Sequence, residues 1–352
     1  MAHDTNPGAD HGATTSPQIT PIPLMQIITG FWAAKTLASA VELDLFTRIS
    51  GQGTTAEELT GMLEFHPRPA EMLLSGCAAL GLLVKREGRF FNSPLAEEFL
   101  VRGEPHYFGG FITMVDRRLY LPWNRLTESL KTNRAQTWGD NPGLFEAMAA
   151  NPEEQRIFTN AMQSLSVMAG RAAAEAFDFS KHRQLLDVGG GSGAYSIEAA
   201  KRWPHLKAVV YDIAPALEIA RGKIAEAGVS KRVHTQQGDF FKEELPKGSD
   251  AILLSMILHD WTPEKDLMIL QKCYHALPSG GAIIVSELMM DDDKTGPPPA
   301  ALMSLNMLIE TEGRNYTWAE YTQWLEQSGF RNIRRIPIQS PGANGLLIGH
   351  RV

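Results

Sequence analysis

The sequence predicts an α/β protein: a doubly wound, mostly parallel, Rossmann-like sheet preceded by a mainly helical region. From Gln184 onward, short β-branched runs alternate with helical segments, as in parallel sheets covered by helices on both faces. The stretch LLDVGGGSGAYSIEAAKRWPHLKAVVYD, Leu185 to Asp212, has the pattern of a strand, a glycine turn, a helix and a second strand. Before about Asp178, apolar residues follow helical periodicity instead. We therefore place the boundary near that residue.

Bulk composition narrows the classes of protein to consider. The chain has 352 residues, which favours two domains. Its net charge of −7 is unsuited to phosphate neutralisation, so we expect no nucleic-acid partner. Cys77 and Cys273 are far apart, which supports neither a disulfide framework nor a zinc site. The longest strongly apolar run, near 251–258, is too short to span a bilayer, and no signal segment begins the chain. We expect a cytoplasmic protein without a membrane partner.

The chain divides into four predicted segments: 1–20, 21–110, 111–178 and 179–352. Residues 1–20 lack large apolar side chains and are expected to form a disordered tail. The two histidines there, His3 and His11, are interpreted as solvated rather than metal-binding. Residues 111–178 form a helical connector, with an N-cap at Asn151 before Pro152 and Glu153.

Residues 21–110 have the pattern of a winged helix. One helix is predicted from Pro23 to Ile49, and a second begins at a capping box in TTAEELTGML. A third helix starts near Pro67, and a hairpin turns at Glu87-Gly88. Such a unit binds DNA in some proteins and serves dimerisation or substrate covering in others. No dense basic face is present and several glutamates oppose phosphate contacts, which favours the second role. These glutamates are Glu57, Glu58, Glu64 and Glu71.

The glycine turn DVGGGSG is the first candidate binding element. Gly189 and Gly191 allow the backbone to approach a ligand closely. Asp212 ends the second strand, where an acid accepts hydrogen bonds from ribose hydroxyls. NAD and S-adenosylmethionine both fit this layout. Asp187 favours S-adenosylmethionine, because a carboxylate would repel a pyrophosphate but suits an ammonium group.

Two further motifs follow later strands. In QQGDFF, Asp239 suits the adenine amino group and Phe240 suits stacking on the ring, although Phe240 taken alone is better explained as a core aromatic. In SMILHDW, His259 lies just past a strand end, where an imidazole suits proton abstraction. A structural histidine is the alternative. Asp260 suits either a neighbouring substrate hydroxyl or the N-cap of the helix that starts at TPEKD.

Two helices supply candidate walls for a substrate pocket. Phe158 and Met162 come from the helix before the sheet. ALMSLNMLIE places one set of side chains on a common helical face by its spacing: Met303, Asn306, Met307 and Glu310. Such a stripe is often plain core, but methionines also form adaptable binding walls. Asn306 needs a polar partner within this apolar stripe, which favours ligand contact.

Taken together, these motifs resemble the two-domain, S-adenosylmethionine-dependent small-molecule O-methyltransferases. That family includes plant caffeic-acid enzymes, acetylserotonin methyltransferase and bacterial polyketide-tailoring enzymes. The resemblance runs from about Pro21 to the end of the chain and is carried by LLDVGGGSG, YDI, GDFF, ILHDW, GGAIIVSE and GRNYTWAEYTQWLEQSGF. It implies a class I methyltransferase domain behind a winged-helix dimerisation domain. It also implies a homodimer in which Phe31 and Trp32 reach across from the N-terminal helix.

The resemblance also implies roles for single residues. Asp187, Gly189 and Gly191 would hold the methionine end of S-adenosylmethionine. The ribose would contact Asp212, and adenine would contact Asp239 and Phe240.

His259 would be the general base, and Glu287 would orient it. Asn315 stands where the plant enzymes carry a second glutamate, so it is expected to hydrogen-bond the imidazole without supplying a charge. Ser255 stands where a lysine is common, four residues before the histidine, and is counted with the cofactor-binding residues.

The expected reaction is methyl transfer to a phenol or enol hydroxyl of a small aromatic or polyketide-like metabolite. A C- or N-methyltransferase on the same scaffold is one alternative. A relative that binds the cofactor but catalyses decarboxylation or a pericyclic step is another, and a winged-helix regulator is a third. No metal is required; a mononuclear ion on His259 and Asp260 is a minor alternative.

Overall fold

The computed structural model describes residues 19–138, 144 and 151–352. Most of the predicted tail, including His3 and His11, lies outside the described residues. The N-terminal region contains helices and then a hairpin, in the predicted order, and a further helix that was not predicted follows the hairpin. Its elements are α1 Ile22–Ile28, α2 Gly30–Glu42, α3 Leu45–Ile49, α4 Ala56–Leu63, α5 Pro67–Ala79, β1 Leu83–Arg86, β2 Arg89–Asn92 and α6 Pro94–Leu100. The hairpin turns at Glu87 and Gly88, both with positive φ, which suits a two-residue turn.

The prediction of one helix from Pro23 to Ile49 is wrong, because the chain breaks twice. The Thr29 hydroxyl donates to the carbonyl of Met25 at 2.7 Å, and α2 restarts at Gly30. Asp44 adopts a left-handed φ of 56°, which ends the second stretch and begins α3. Phe46 and Ile49 on α3 then turn into the N-terminal core. Apolar periodicity persists across both breaks, so it did not reveal them.

Helices α1 and α2 expose an apolar surface. Leu24, Ile27 and Trp32 are 66%, 77% and 61% exposed. Within the described residues, the continuous stretch Ile22–Glu42 is also long and apolar enough to cross a bilayer, judged by length and composition alone. Exposed apolar surfaces of this kind mark sites of association in soluble proteins.

The connector packs between this region and the sheet. It comprises α7 Gly109–Met114, a π turn Val115–Leu119, a 3₁₀ turn Pro122–Arg125, α8 Leu126–Thr132 and α9 Pro152–Ala176. The predicted cap of α9 is present: the Asn151 side chain accepts hydrogen bonds from the backbone N–H groups of Glu153 and Glu154. The 25-residue α9 continues onto the sheet and lies along α10.

The sheet has seven strands, and its helices cover both faces as predicted. The elements are β3 Gln184–Val188, α10 Ala194–Arg202, β4 Lys207–Asp212, α11 Ala214–Glu226, β5 Val233–Gln237, β6 Ala251–Ser255, α12 Pro263–Ala276, β7 Ala282–Glu287, α13 Pro298–Glu310, α14 Trp318–Gln327, β8 Arg331–Pro337 and β9 Gly345–His350. Their order is β5-β4-β3-β6-β7-β9-β8, and β9 runs antiparallel to the other six strands.

Strand order reverses between β3 and β6. A crevice therefore opens at the carboxyl ends of these two strands, where doubly wound sheets bind ligands. Apolar side chains from α9, α10 and α11 pack on one face of the sheet. Side chains from α12 and α14 pack on the other. The carboxyl ends of β3 to β7, with the loops that follow them, carry the candidate cofactor-binding residues, His259, Asp260 and Glu287 to this common edge.

Candidate active site

The glycine turn after β3 has the backbone that its sequence predicts. Gly189, Gly191 and Gly193 have φ values of 68°, 55° and 78°, which strongly favour glycine. A Cβ on Gly189 would lie 2.4 Å from Cδ1 of Ile257, so the turn packs directly on the segment after β6. A Cβ on Gly191 would meet no atom within 4 Å. Gly191 therefore borders open space that a ligand can occupy.

Asp187 lies fully buried beneath this turn. Its Oδ2 accepts a hydrogen bond from the Ser196 hydroxyl at 2.8 Å. Its Oδ1 has no hydrogen-bond partner among the described residues. Burial raises the pKa of Asp187 to about 7 against the effect of the Ser196 bond, and the charge of Asp212 adds to the rise. A buried acceptor oxygen without a donor fits an ammonium group of a ligand.

Asp212, at the end of β4, closes the other side of the turn. Its carboxylate accepts from the backbone N–H groups of Gly191 and Ile213, both at 2.7 Å. Burial raises its pKa to about 6, although these two bonds oppose the shift. Each carboxylate oxygen keeps a second lone pair for a hydroxyl donor. This arrangement is compatible with a ribose.

Asp239 and Phe240 follow β5 at the same edge. Asp239 accepts from the Phe241 N–H at 2.9 Å and pairs with Lys242 at 2.9 Å. Burial acts to raise the pKa of Asp239, but Lys242 and the backbone bond lower it overall. The Phe240 ring packs 4.7 Å from that of Phe241 and also lies beside Gly189. Phe240 is thus both a core contact and a wall of the crevice.

The chain leaves β6 at Ser255, which is half-buried. The next residue, Met256, has a left-handed φ of 53° and donates its N–H to the carbonyl of Ser286. This bend leads into a 3₁₀ turn, Leu258–Asp260. His259 is therefore carried directly past the carboxyl end of β6, where the sequence predicted it.

Glu287, the last residue of β7, fixes this turn. Its Oε2 lies 2.5 Å from Nδ1 of His259, and its Oε1 accepts from the N–H groups of Ile257 and Leu258 at 3.0 Å each. Glu287 is fully buried and His259 is 5% exposed. A carboxylate at Nδ1 favours the tautomer with the proton on Nδ1. Nε2 is then the acceptor in the neutral ring.

Burial and two neighbouring carboxylates act in opposite directions on the pKa of His259. Burial acts to lower its pKa, but the Glu287 and Asp260 carboxylates raise it overall to about 9. Burial raises the pKa of Asp260 to about 7 in spite of His259, and the charges of Glu287 and Glu310 contribute to the rise. At neutral pH, protonated His259 therefore predominates, and the neutral base becomes more abundant as the pH rises.

Asp260 does not cap the following helix. The N-cap of α12 is Thr262, and no side-chain cap hydrogen bond forms there. Oδ1 of Asp260 lies 3.7 Å from Nε2 of His259 instead. Of the two roles that the sequence left open, this position fits the role beside a substrate hydroxyl.

Asn315 does not form the expected hydrogen bond with His259. Its Nδ2 donates to the carbonyl of Leu288 at 2.8 Å. A different residue of the same loop packs on the histidine turn: a Cβ on Gly313 would lie 2.2 Å from the carbonyl oxygen of His259. The loop therefore supports the turn through its backbone, while the Asn315 amide joins the loop to the segment after β7.

The candidate pocket residues fall into two groups. Phe158 and Met162 pack on α7 and the π turn, against Met114 and Leu119. Met303 packs with a separate small cluster near Leu288. Met307 is buried on the same helix.

Asn306 already has protein partners, which corrects the inference that it needs a ligand. Its Oδ1 accepts from the Trp123 indole N–H at 3.0 Å, and its Nδ2 donates to Oε2 of Glu310 at 3.0 Å. Its amide is therefore satisfied without a substrate.

Arg118 is a residue that sequence reasoning missed. It lies in the π turn, is buried, and its Nη2 pairs with Oε1 of Glu310 at 3.4 Å. The rings of Trp138 and Phe158 lie 4.8 and 5.2 Å from its guanidinium carbon. In the sequence it is the second of two adjacent arginines, and nothing local distinguishes it from the exposed Arg117.

Within the described part of the chain, no group of three or more histidine, cysteine or acidic side chains is arranged to hold a metal ion.

Comparisons with known proteins agree with this geometry. Residues 123–331 match the family model of the O-methyltransferase domain. Residues 25–102 match that of the O-methyltransferase dimerisation domain. The 3-hydroxy-5-methyl-1-naphthoate 3-O-methyltransferase of Streptomyces sahachiroi is 43% identical over 97% of this chain and 99% of its own. The L-tyrosine C(3)-methyltransferase of Streptomyces lavendulae is 32% identical over 92% of this chain and 91% of its own.

A solved structure supports the same relationship. Human N-acetylserotonin methyltransferase, crystallised in complex with S-adenosylmethionine, superposes with a TM-score of 0.87. It is 28% identical, and the match covers 96% of this chain and 99% of the human one. The orphan Oδ1 of Asp187 and the open approach to Gly191 fit that cofactor. The chain therefore belongs to the O-methyltransferase family that carries an N-terminal dimerisation domain, and it is an S-adenosylmethionine-dependent methyltransferase.

Proposed function

We propose that this enzyme methylates a hydroxyl of a small aromatic or polyketide-like metabolite, with His259 as the general base. The observation that carries the proposal is the His259–Glu287 pair at the carboxyl end of β6, with Nδ1 held at 2.5 Å and Nε2 left to accept a proton. The crevice beside the glycine turn lies next to it, since Ile257 packs on Gly189. The naphthoate O-methyltransferase relative supports an aromatic acceptor of polyketide type.

The chemistry divides between cofactor and protein. The bound cofactor supplies an electrophilic methyl group on a sulfonium. We assign the methionine end to Asp187, Gly189 and Gly191, and the ribose to Asp212. We assign adenine to Asp239 and Phe240, and Ser255 to the same edge of the crevice.

The protein orients the acceptor oxygen and removes its proton. A phenol has a pKa of about 10 and is mostly neutral near pH 7. Nε2 of His259 takes this proton as the new bond forms, and Glu287 stabilises the resulting imidazolium. Asp260 accepts from a neighbouring hydroxyl of the acceptor. Phe158, Met162, Met303 and Met307 contribute apolar walls.

Transfer to carbon is the second candidate. The relationship to the L-tyrosine C(3)-methyltransferase favours it. A base placed like His259 also serves transfer to an aromatic carbon, because a phenolic proton must leave there as well. The atom that receives the methyl group distinguishes the two reactions.

We also propose a homodimer formed through α1 and α2. Phe31 and Trp32 are more than half exposed on α2, and these helices lie mostly within the region that matches the dimerisation domain. A second copy would cover this apolar surface.

We propose a cytoplasmic enzyme that binds neither nucleic acid nor membrane. We place the beginning of its catalytic domain at residue 179.

The test is methyl transfer from labelled S-adenosylmethionine to a panel of phenols, enols and hydroxynaphthoates. We expect label on oxygen, and a rate that rises with pH towards about 9, because only neutral His259 acts as a base. His259→Ala should lower the rate about 100-fold or more, the usual effect of losing a general base. His275→Ala, an exposed histidine on α12, is the matched control and should keep the full rate. Calorimetry should show unchanged cofactor binding in both variants.

Two results would contradict the proposal. A His259→Ala enzyme with nearly full activity would show that His259 is not the base. Label on carbon would replace O-methylation with the second candidate.

A further inference from the structure

Arg118 is a buried cation with unused hydrogen-bonding capacity. Its side chain is 7% exposed. Its one hydrogen bond among the described residues runs from Nη2 to Glu310, at a long 3.4 Å. Nε and Nη1 are buried and have no hydrogen-bond partner there. A guanidinium carries five N–H donors in a planar fork, so most of its donors are unsatisfied.

Arg118 contacts residues that we assign to the acceptor pocket. The ring of Phe158, a predicted wall residue, and the ring of Trp138 lie over the guanidinium. Glu310, its ion-pair partner, also accepts from Asn306 on the predicted pocket face of α13. The charge of Glu310 contributes to the raised pKa of Asp260, the neighbour of His259. Arg118, Glu310 and Asn306 thus form one polar cluster, and the charge of Glu310 acts on Asp260 beside His259.

The protein only partly neutralises this cation. Glu310 approaches to 3.4 Å, and Glu154 lies 3.9 Å from Nε, beyond hydrogen-bond distance. Burial raises the pKa of Glu310 in spite of Arg118, which weakens it as a counter-ion. A buried charge is stable only when it is paired and hydrogen-bonded. An anionic group on a ligand would complete the pairing that these glutamates leave unfinished.

We propose that Arg118 binds a carboxylate of the acceptor, so that the substrate is an aromatic hydroxy acid rather than a simple phenol. A carboxylate matches the planar fork of free N–H groups. The flanking rings of Trp138 and Phe158 suit an acid attached to a flat aromatic system. This inference rests on the proposed function, because it identifies the substrate class of the same pocket.

The experiment compares two ligands that differ only in the carboxylate: 3-hydroxy-1-naphthoic acid and 2-naphthol. Binding to the full-length enzyme is measured by calorimetry with saturating S-adenosylhomocysteine, the demethylated cofactor. We expect Arg118→Met to weaken binding of the acid about 10- to 100-fold, the usual effect of losing hydrogen bonds to a charged group. Binding of 2-naphthol should change by less than about threefold, because that ligand does not use the lost cation.

Two variants serve as controls. Arg117→Met makes the same chemical change at the exposed neighbour, whose guanidinium lies 3.8 Å from Glu42 on the surface. It should bind both ligands as the unmodified enzyme does. Arg118→Lys keeps the charge but loses the planar fork, and it should lie between the unmodified enzyme and Arg118→Met in its preference for the acid. If Arg118→Met does not fold, Arg118→Lys provides the same comparison.

The preference for the acid over the naphthol decides the outcome. An unmodified enzyme that binds 2-naphthol as tightly as the acid would overturn the inference. An equal loss for both ligands in the Arg118 variants would also overturn it, because it would indicate a structural role.

Methyl transfer is measured separately. If neither ligand accepts a methyl group but binding of the acid depends on Arg118, the proposed reaction fails and the carboxylate site stands. If both are methylated equally well in every variant, the reaction stands and the carboxylate site fails.

Discussion

Three aspartates at the carboxyl edge of the sheet differ in the pKa of their carboxyl groups because they differ in burial and in hydrogen-bond partners. Asp187 is fully buried, and the pKa of its carboxyl rises to about 7. Asp212 accepts two backbone bonds, and its pKa rises to about 6. Lys242 and a backbone N–H lower the pKa of Asp239 despite partial burial. The residues nearest the glycine turn therefore titrate close to neutral pH, whereas Asp239 stays ionised.

Cofactor affinity should therefore depend on pH. We assign the ammonium of S-adenosylmethionine to ionised Asp187, so affinity should rise between about pH 5.5 and about pH 7.5. Below the pKa of about 7 it should fall by up to about tenfold per pH unit. Binding should release protons, which calorimetry in buffers of different ionisation enthalpy detects.

Asp187→Asn tests the assignment of this pH dependence. The variant should bind the cofactor more weakly and with a flatter pH profile. Asp239→Asn is the control: it should weaken binding but keep the slope of the unmodified protein. An identical slope in Asp187→Asn and the unmodified protein would contradict the assignment to Asp187.

At the scale of elements, the turn that carries His259 is held from two sides. Glu287 of β7 binds its ring and two of its backbone N–H groups. The loop between α13 and α14 packs against this turn at Gly313, where no side chain fits beside the carbonyl of His259. The position of His259 therefore depends on a strand end and a loop that are distant from it in sequence.

Gly313→Ala should displace this turn. Its Cβ would meet backbone atoms of His259, Asp260 and Trp261 at 2.2 to 2.6 Å, none of which can move alone. We expect kcat to fall by about tenfold or more, because small errors in position are costly to catalysis. Cofactor affinity should change little, since the glycine turn is untouched.

Gly222→Ala is the matched control for that change. Gly222 is exposed within α11 and has no atom within 4 Å of an added Cβ. This variant should keep full activity and gain up to about 1 kcal/mol of stability from its better helix propensity. Equal rates for Gly313→Ala and the unmodified enzyme would show that the loop does not position the base.

At the scale of the whole molecule, one apolar surface stands out. Helices α1 and α2 expose a series of large apolar side chains: Ile22, Leu24, Met25, Ile27, Ile28, Phe31 and Trp32. Contiguous apolar patches on soluble proteins mark sites of association. The region lies mostly within the dimerisation-domain match.

We therefore expect a dimer in solution that Ile27→Lys weakens. Burial of a lysine charge at a two-fold interface is costly, because each copy contributes one. Sedimentation at micromolar concentration should show a dimer for the unmodified protein and a monomer for the variant. Leu95→Lys, an equally drastic change at an exposed leucine on α6, should remain dimeric.

Two results would contradict this expectation. A monomeric unmodified protein would exclude the dimer. Co-sedimentation with lipid vesicles would show that a membrane covers the surface instead.

The sequence by itself determined the features that depend on local order along the chain. Alternating β-branched and helical runs located the strands. The glycine-rich stretch DVGGGSG located the turn after β3, and the motif SMILHDW located His259 beyond β6. These features follow from the periodicity of apolar residues and from the preference of glycine for turns, both of which can be recognised in neighbouring residues of the sequence. Family resemblance supplied Glu287 as the partner of His259.

Only the tertiary structure decided which distant side chains meet. It joined Asn306 to Trp123, paired the Asn315 amide with the carbonyl of Leu288, and buried Arg118 rather than Arg117. Helix breaks at Thr29 and Asp44 were likewise hidden, because the apolar pattern continues across them. Such contacts depend on how whole elements pack against one another, and no local pattern records that packing.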